Sequence, residues 1–340
     1  MHRATLYQKL ASDLVKCTAC AHYCHIQPDN TGVCGIRKNI KGELFLLPYA
    51  RPAAVNIDPI EKKPLFHFLP GTQIFSLGTV GCNFACAFCQ NWDISQLSKG
   101  KAKFDLEKLG EDWPPQKIVD YCLEHNIPSI AYTYNEPTIF IEYAYDTAKL
   151  ANQAGLKNVF VSNGYGSAEA YDFIDGYLDA INIDLKSFQP EFYQKICHAN
   201  IKPVLANIKR LHDAGVWVEV TTLVVPGQND SVGELKAIAQ FLAKIDPDIP
   251  WHISRFFPQY KMEDSLPTPL ETLELAYKIG KTAGLNYVYV GNCPDSKWES
   301  TDCPKCKKRL IERTGYEIGT INLKNGQCQF CKTKIAGKWE

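Results

Sequence analysis

Between residues 74 and 290 the sequence alternates short apolar runs with longer stretches of helical pattern, and this confines the chain to few folds. Seven runs read as strands, at 74–77, 129–133, 158–162, 180–185, 217–223, 251–256 and 287–290. Strand and helix in turn predict a parallel sheet, because parallel neighbours need a crossover between them. Pro114-Pro115 marks a helix start. Ala154-Gly155, Ala214-Gly215 and Ala283-Gly284 each close a helical segment and lead into a strand, where glycine suits a left-handed C-cap. The expected fold class is α/β, a partial TIM-type (β/α)6 barrel over residues 71–292. Functional groups of such a barrel gather on loops at the C-terminal strand ends.

Fourteen cysteines punctuate this frame, and eleven fall into three groups. In the loop after the first run stand Cys82, Cys86 and Cys89, at Cys-x3-Cys-x2-Cys spacing. With no fourth cysteine nearby, they read as soft-metal ligands rather than disulfide partners. A 4Fe-4S cluster normally takes four cysteines, so three leave one iron open to a small molecule. Residues 1–70 form an N-terminal module and lead-in strands containing Cys17, Cys20, Cys24 and Cys34. Four thiolates there suit structural zinc or a second iron–sulfur cluster, and spacing does not decide between them. The interleaved His22 and His25 read as surface or supporting groups. Residues 293–340 carry Cys303, Cys306, Cys328 and Cys331 as paired Cys-x2-Cys knuckles, the spacing of a zinc ribbon that would hold zinc or iron. Lys307 and Lys332 follow the knuckles where glycine is common. Cys122 and Cys197 read as small buried hydrophobes, and Cys293 as a free thiol.

The strand tips carry polar sets: Tyr134-Asn135-Glu136-Pro137, Ser162-Asn163-Gly164 and Asp184-Leu185-Lys186. Further on, period-two alternation sets His252 and Ser254 against Ile253 and Arg255, and Arg255 is a candidate clamp for a carboxylate or phosphate. Lys+Arg and Asp+Glu both number 37, so no global basic footprint points to nucleic acid. With neither a secretory h-region nor an apolar run of membrane-spanning length, a cytoplasmic location is expected and no membrane partner.

The cysteine spacing, with Phe88 before the last cysteine, resembles the signature of the radical S-adenosylmethionine (radical SAM) superfamily. The resemblance implies that Cys82, Cys86 and Cys89 hold a 4Fe-4S cluster whose open iron chelates S-adenosyl-L-methionine, with Phe88 near the adenine. It makes Asn135-Glu136 the counterpart of a Gly-Gly-Glu motif in which the glutamate orients the methionine amino group, although Tyr134 and Asn135 replace the glycines. It further implies cofactor contacts at Ser162, Asn163, Asp184 and Lys186, and likens Val224-Val225-Pro226-Gly227 to a segment of pyruvate formate-lyase activating enzymes. The order of an N-terminal cysteine group, Ile57-Asp58-Pro59-Ile60-Glu61-Lys62-Lys63-Pro64, the Cys82 loop and a closing zinc ribbon is similar to the radical SAM enzyme of the AmmeMemoRadiSam system. That implies reductive cleavage of S-adenosylmethionine to a 5′-deoxyadenosyl radical, an external electron donor, and AMMECR1-like and Memo-like proteins as partners. It assigns no catalytic side chain and no substrate. A glycyl-radical-enzyme activase is the alternative within the same chemistry. A non-catalytic metal-binding scaffold is the alternative outside it, opposed by the open iron.

Overall fold

The computed structural model describes residues 1–100, 105–293 and 297–340. Its centre is one eight-stranded sheet. In it β2 (Gln73–Gly78), β3 (Ser129–Tyr132), β4 (Lys157–Ser162), β5 (Ala180–Asp184), β6 (Trp217–Val224), β7 (Trp251–Arg255) and β8 (Val288–Gly291) lie side by side and parallel. Each expected run is therefore a strand. Six crossovers join them, so six strand–helix units are followed by a seventh strand. An eighth, β1 (Ala54–Pro59), pairs antiparallel with β2 and comes from the lead-in segment, so residues 1–70 contribute to the barrel wall. β1 and β8 end the sheet without pairing to each other. The barrel is open along that side.

The parallel strands are covered on both faces, and β3 is buried at every residue, as a Ser-Ile-Ala-Tyr run between helices and barrel interior should be. The crossover helices are α1 (Pro115–Glu124), α2 (Ile141–Gln153), α3 (Ala168–Ile174), α4 (Ile201–Asp213), α5 (Val232–Ile245) and α6 (Leu270–Thr282). Local chemistry sets their ends. Pro115 opens α1, and the side chains of Ser167, Asn200 and Ser231 accept backbone N–H groups at the starts of α3, α4 and α5. Gly155, Gly215 and Gly284 take φ of +78°, +83° and +100° just past three helices, as the Ala-Gly pairs predict.

Two small modules flank the barrel. The N-terminal one pairs Tyr7–Lys9, Val15–Cys17 and His25–Ile26 in one sheet and His2–Arg3, Glu43–Leu46 and Arg37–Ile40 in another. It is anchored to α2 by Arg37, which donates to both Glu142 carboxylate oxygens at 2.7 Å, with both side chains buried. The C-terminal module pairs Thr301–Asp302, Arg309–Thr314 and Glu317–Ile321, then closes a hairpin through Asn325-Gly326, both left-handed. Its core includes Cys303, Leu310 and Ile311 and packs on Phe66, Tyr287 and Tyr289 along the open side of the barrel. No helix among the described residues is long and apolar enough to cross a membrane.

Candidate functional site

The C-terminal strand ends surround a cavity of about 450 Å³. Cys82, Cys86 and Cys89 stand on its wall with Phe88, Ser162, Asn163, Asp184 and Lys186. The Cys82 loop is held from several sides. Gly81 enters it at φ +86°, and a Cβ there would stand 2.5 Å from the Cys34 carbonyl, so only glycine fits. The N–H groups of Ala85 and Ala87 donate to the carbonyls of Cys197 and Ile196, and Lys99 donates to the Phe84 carbonyl at 2.7 Å. Burial pushes the Cys82 and Cys89 thiols up, while at Cys86 the hydrogen-bonded Cys197 thiol is the larger cause. Two cations counter this. Lys186 pairs with Asp184 at 2.7 Å, and although burial opposes its charge, Asp184, Cys86 and Cys197 hold it protonated. Lys99 sits beside all three thiols. Four-iron clusters bind thiolates, and this donor set with two neighbouring ammonium groups fits one.

Beside the thiols, the Asn135 amide donates to the Gly81 carbonyl at 2.8 Å and to Thr79 Oγ1 at 3.2 Å. Those acceptors fix the amide's orientation, and its Oδ1 is left buried without a protein partner on a residue that lines the cavity. An unpaired acceptor at that point suits an ammonium group. Glu136, expected to orient the methionine amino group, does not reach the cavity lining. It is fully buried off the cavity lining, and its carboxylate is spent on the Thr138 N–H and hydroxyl, the Ser162 hydroxyl and the Asn163 N–H. Glu136 therefore splices the tips of β3 and β4, and Asn135 is the one of the two that lines the cavity. Tyr134 occupies the left-handed position where a glycine was expected, at φ +67°. Its hydroxyl donates to Asp58 at 2.8 Å and its ring lies 4.6 Å from Lys63 Nζ, contacts that hold the uncommon conformation.

Ser162 and Asn163 reach the lining already tied. The Ser162 hydroxyl is committed to Glu136, and Asn163 Nδ2 donates to Asn83 Oδ1 at 2.7 Å, so the β4 tip and the cysteine loop move as one. Phe88 rests against Phe192 with Lys186 Nζ 5.7 Å from its ring. Arg255 lies apart, donating to the Thr268 carbonyl and stacking on Phe257, off the cavity lining. His252 and Ser254, on the opposite face of β7, line a second compartment of about 390 Å³. The two compartments share Lys62, Pro64, Thr221, Ser254, Asn292 and Tyr316.

This coarse geometry matches known proteins. The family model described as the radical SAM superfamily matches residues 76–242. An uncharacterized protein of Methanocaldococcus jannaschii is 42% identical over 338 residues, covering 98% of this chain and 99% of its own length. The pyruvate formate-lyase-activating enzyme of Clostridium pasteurianum is 23% identical over 167 residues, 48% of this chain and 67% of that enzyme. This chain belongs to the radical SAM superfamily. Among solved structures, Streptococcus suis SuiB bound to S-adenosylmethionine shares the fold with a TM-score of 0.51 at 10% identity, covering 69% of this chain and 53% of SuiB. As a superfamily member the chain is an enzyme related to pyruvate formate-lyase activases.

Several residues of the site carried no role in the sequence reading. Cys197 meets Cys86 from behind, and Lys99 reaches the thiols from a later turn. Lys62 and Lys63 both donate to Asp58, and both reach the cavity lining. The run of charged residues between prolines at 58–64 was the available signal. Tyr316 lines both compartments from the C-terminal module. That module also brings the Sγ atoms of Cys303, Cys306, Cys328 and Cys331 within 4.8 Å of one another, a separation suited to one metal ion. Lys307 and Lys332 are left-handed after their knuckles, at φ +61° and +62°.

Proposed function

We propose that the chain cleaves S-adenosylmethionine reductively and directs the resulting radical at a substrate in the second compartment. The observation that carries this reading is the gathering of Cys82, Cys86 and Cys89 on one cavity wall with Asn135, whose buried Oδ1 has no protein partner. A reduced 4Fe-4S cluster held by Cys82, Cys86 and Cys89 supplies the electron that breaks the sulfonium to methionine and a 5′-deoxyadenosyl radical, which removes a hydrogen atom from the substrate. Asn135 Oδ1 accepts from the methionine ammonium, and Lys186 offers its charge to the carboxylate or ribose side. Phe88 packs near the adenine. Lys62, Pro64 and Tyr316 narrow the passage between compartments and keep water from the reacting carbon. A volume of about 390 Å³ lined by Phe66, Phe257, Tyr289 and Tyr316 suits a small molecule or the tip of a peptide. By the order of its motifs we extend the reading to the AmmeMemoRadiSam system, with AMMECR1-like and Memo-like proteins as partners.

Anaerobically reconstituted protein with dithionite should convert S-adenosylmethionine to 5′-deoxyadenosine, and Cys86→Ala should not. Equal turnover by the variant would sink the reading. A second reading, an activase acting on a glycine of another protein, is favoured by the activating-enzyme relative. A stable glycyl radical in the electron paramagnetic resonance (EPR) spectrum after mixing with partner proteins would select it.

A further inference from the structure

Cys17, Cys20, Cys24 and Cys34 form a mostly buried nest beside the Cys82 loop. The Cys17 N–H donates to the Cys24 carbonyl at 2.9 Å and the Tyr23 N–H to the Cys20 carbonyl at 3.1 Å, so the first three cysteines fold back on one another in a single loop. The Arg37 guanidinium adds a fixed positive charge near Cys17 and Cys34. His22 is not part of the ligand set, because its Nε2 is bonded to the Asn83 carbonyl at 2.8 Å.

The spread of the sulfurs discriminates between metals. The C-terminal four lie within 4.8 Å of one another, with pairs at 3.6 and 3.7 Å. Among the described residues no three of the N-terminal four gather that closely, and neither do Cys82, Cys86 and Cys89. One zinc, at about 2.3 Å from each sulfur, draws its ligands together. A four-iron cube keeps them apart, since each thiolate binds its own iron. The N-terminal four, like Cys82, Cys86 and Cys89, are thus not drawn together as the knuckles are, which favours one iron per thiolate over one shared zinc.

The nest also touches the first site directly. The Cys34 carbonyl accepts the Ser98 hydroxyl at 2.9 Å and lies against Gly81, which is bonded to Cys82. Lys99, next to Ser98, is near Cys34 as well as the three loop thiols. Thr18 meets Ser167, and Ala21 donates to the Tyr165 carbonyl, so the module is also fixed to the loop beyond β4.

We propose that Cys17, Cys20, Cys24 and Cys34 hold a second 4Fe-4S cluster, which takes single electrons from a low-potential donor and passes them across the Cys34–Gly81 contact to the site at Cys82. The N-terminal cluster is reduced from 2+ to 1+ by that external one-electron donor. It returns to 2+ as the neighbouring site gains the electron, with no bond or proton changing place. The presence of the cluster stands by itself, and its relay role rests on the proposed function.

The full chain with Cys82, Cys86 and Cys89 all replaced by alanine, purified anaerobically, should retain about four iron and four sulfide ions beside one zinc, with an EPR signal after dithionite. Zinc in both terminal sites and no iron would overturn the proposal, whether or not the wild type cleaves S-adenosylmethionine. If the triple variant does not fold, Mössbauer counting on the iron-57 wild type decides, with about eight irons expected against about four. For the relay, stopped-flow bleaching by dithionite should show reduction of the Cys82 site at least tenfold slower in Cys17→Ser/Cys34→Ser than in wild type. An unchanged rate overturns the relay.

Discussion

Asn163 donates its backbone N–H to the Glu136 carboxylate at 2.8 Å, and through that bond a buried acid joins the tips of β3 and β4. The same carboxylate accepts from three further donors, the Thr138 N–H and hydroxyl and the Ser162 hydroxyl, which reaches both oxygens. Replacing it by glutamine puts an amide donor where only donors point. Glu136→Gln should lower stability by about 2–3 kcal/mol, read as a shift of the urea midpoint. The S-adenosylmethionine affinity of folded variant should change less than that of an Asn135 variant.

Asn135→Ala removes the buried, unpartnered acceptor of a cavity-lining residue and the donor that holds Gly81. Affinity for S-adenosylmethionine, measured by equilibrium dialysis on the reconstituted protein, should weaken about tenfold, equivalent to about 1.4 kcal/mol. Unchanged affinity would remove Asn135 from the cofactor site.

The Arg37–Glu142 pair joins the N-terminal module to α2 through two 2.7 Å bonds in a dry setting, and Glu142 also accepts the Thr5 N–H. Removing one partner strands the other's charge. Arg37→Met should cost about 3–5 kcal/mol of stability, seen in chemical denaturation, while Arg37→Met/Glu142→Leu should recover most of it.

His67 supplies a pH signature. Burial pushes its imidazole down to about 4, and its nitrogens are engaged by the Ala336 carbonyl and the Tyr289 hydroxyl. The unfolded chain takes up that proton near pH 6.5, before the folded protein does. The stability His67 contributes is full above about pH 6.5 and is lost as pH falls toward 4. Between pH 7 and 5 the wild type should lose about 2 kcal/mol more than His67→Gln, measured by parallel urea titrations.

Lys307 and Lys332 hold left-handed backbones that glycine adopts without strain. Lys307→Gly and Lys332→Gly should each stabilise the metal-loaded C-terminal module by about 1 kcal/mol at most, read as a higher melting temperature. Removing the ion with a chelator should abolish the gain and expose residues 297–340 to limited proteolysis.

The alternation of strand and helix made the barrel readable, because crossovers and C-cap glycines are local devices written in adjacent residues. The three cysteine groups were equally plain, since ligand spacing along a loop is a sequence property. The inward turn of Glu136 was not legible, for a physical reason: whether a carboxylate faces a cavity or turns inward depends on donors supplied by Ser162 and Asn163, two dozen residues away. Cys197, Lys99 and Tyr316 stayed hidden for the same cause, as their importance arises only from tertiary approach. β1 was legible as a strand but not as the antiparallel edge of a parallel sheet, because pairing direction is not encoded in its own residues.

The missing ladder between β1 and β8 gives the molecule two kinds of wall. Around the cysteines, hydrogen-bonded strands fix the distances and leave little for side-chain variation to alter. Along the open side the wall is a seam of packed residues, where Arg313 donates to the Phe66 carbonyl and the Leu69 N–H to that of Lys338. A seam of this sort is adjusted one side chain at a time. Under the proposed function, this seam, which brings Tyr316 to both compartments, is the part of the wall that can be redrafted while the cysteine loop stays fixed, and exchanging residues 297–340 between homologues should change which molecules react.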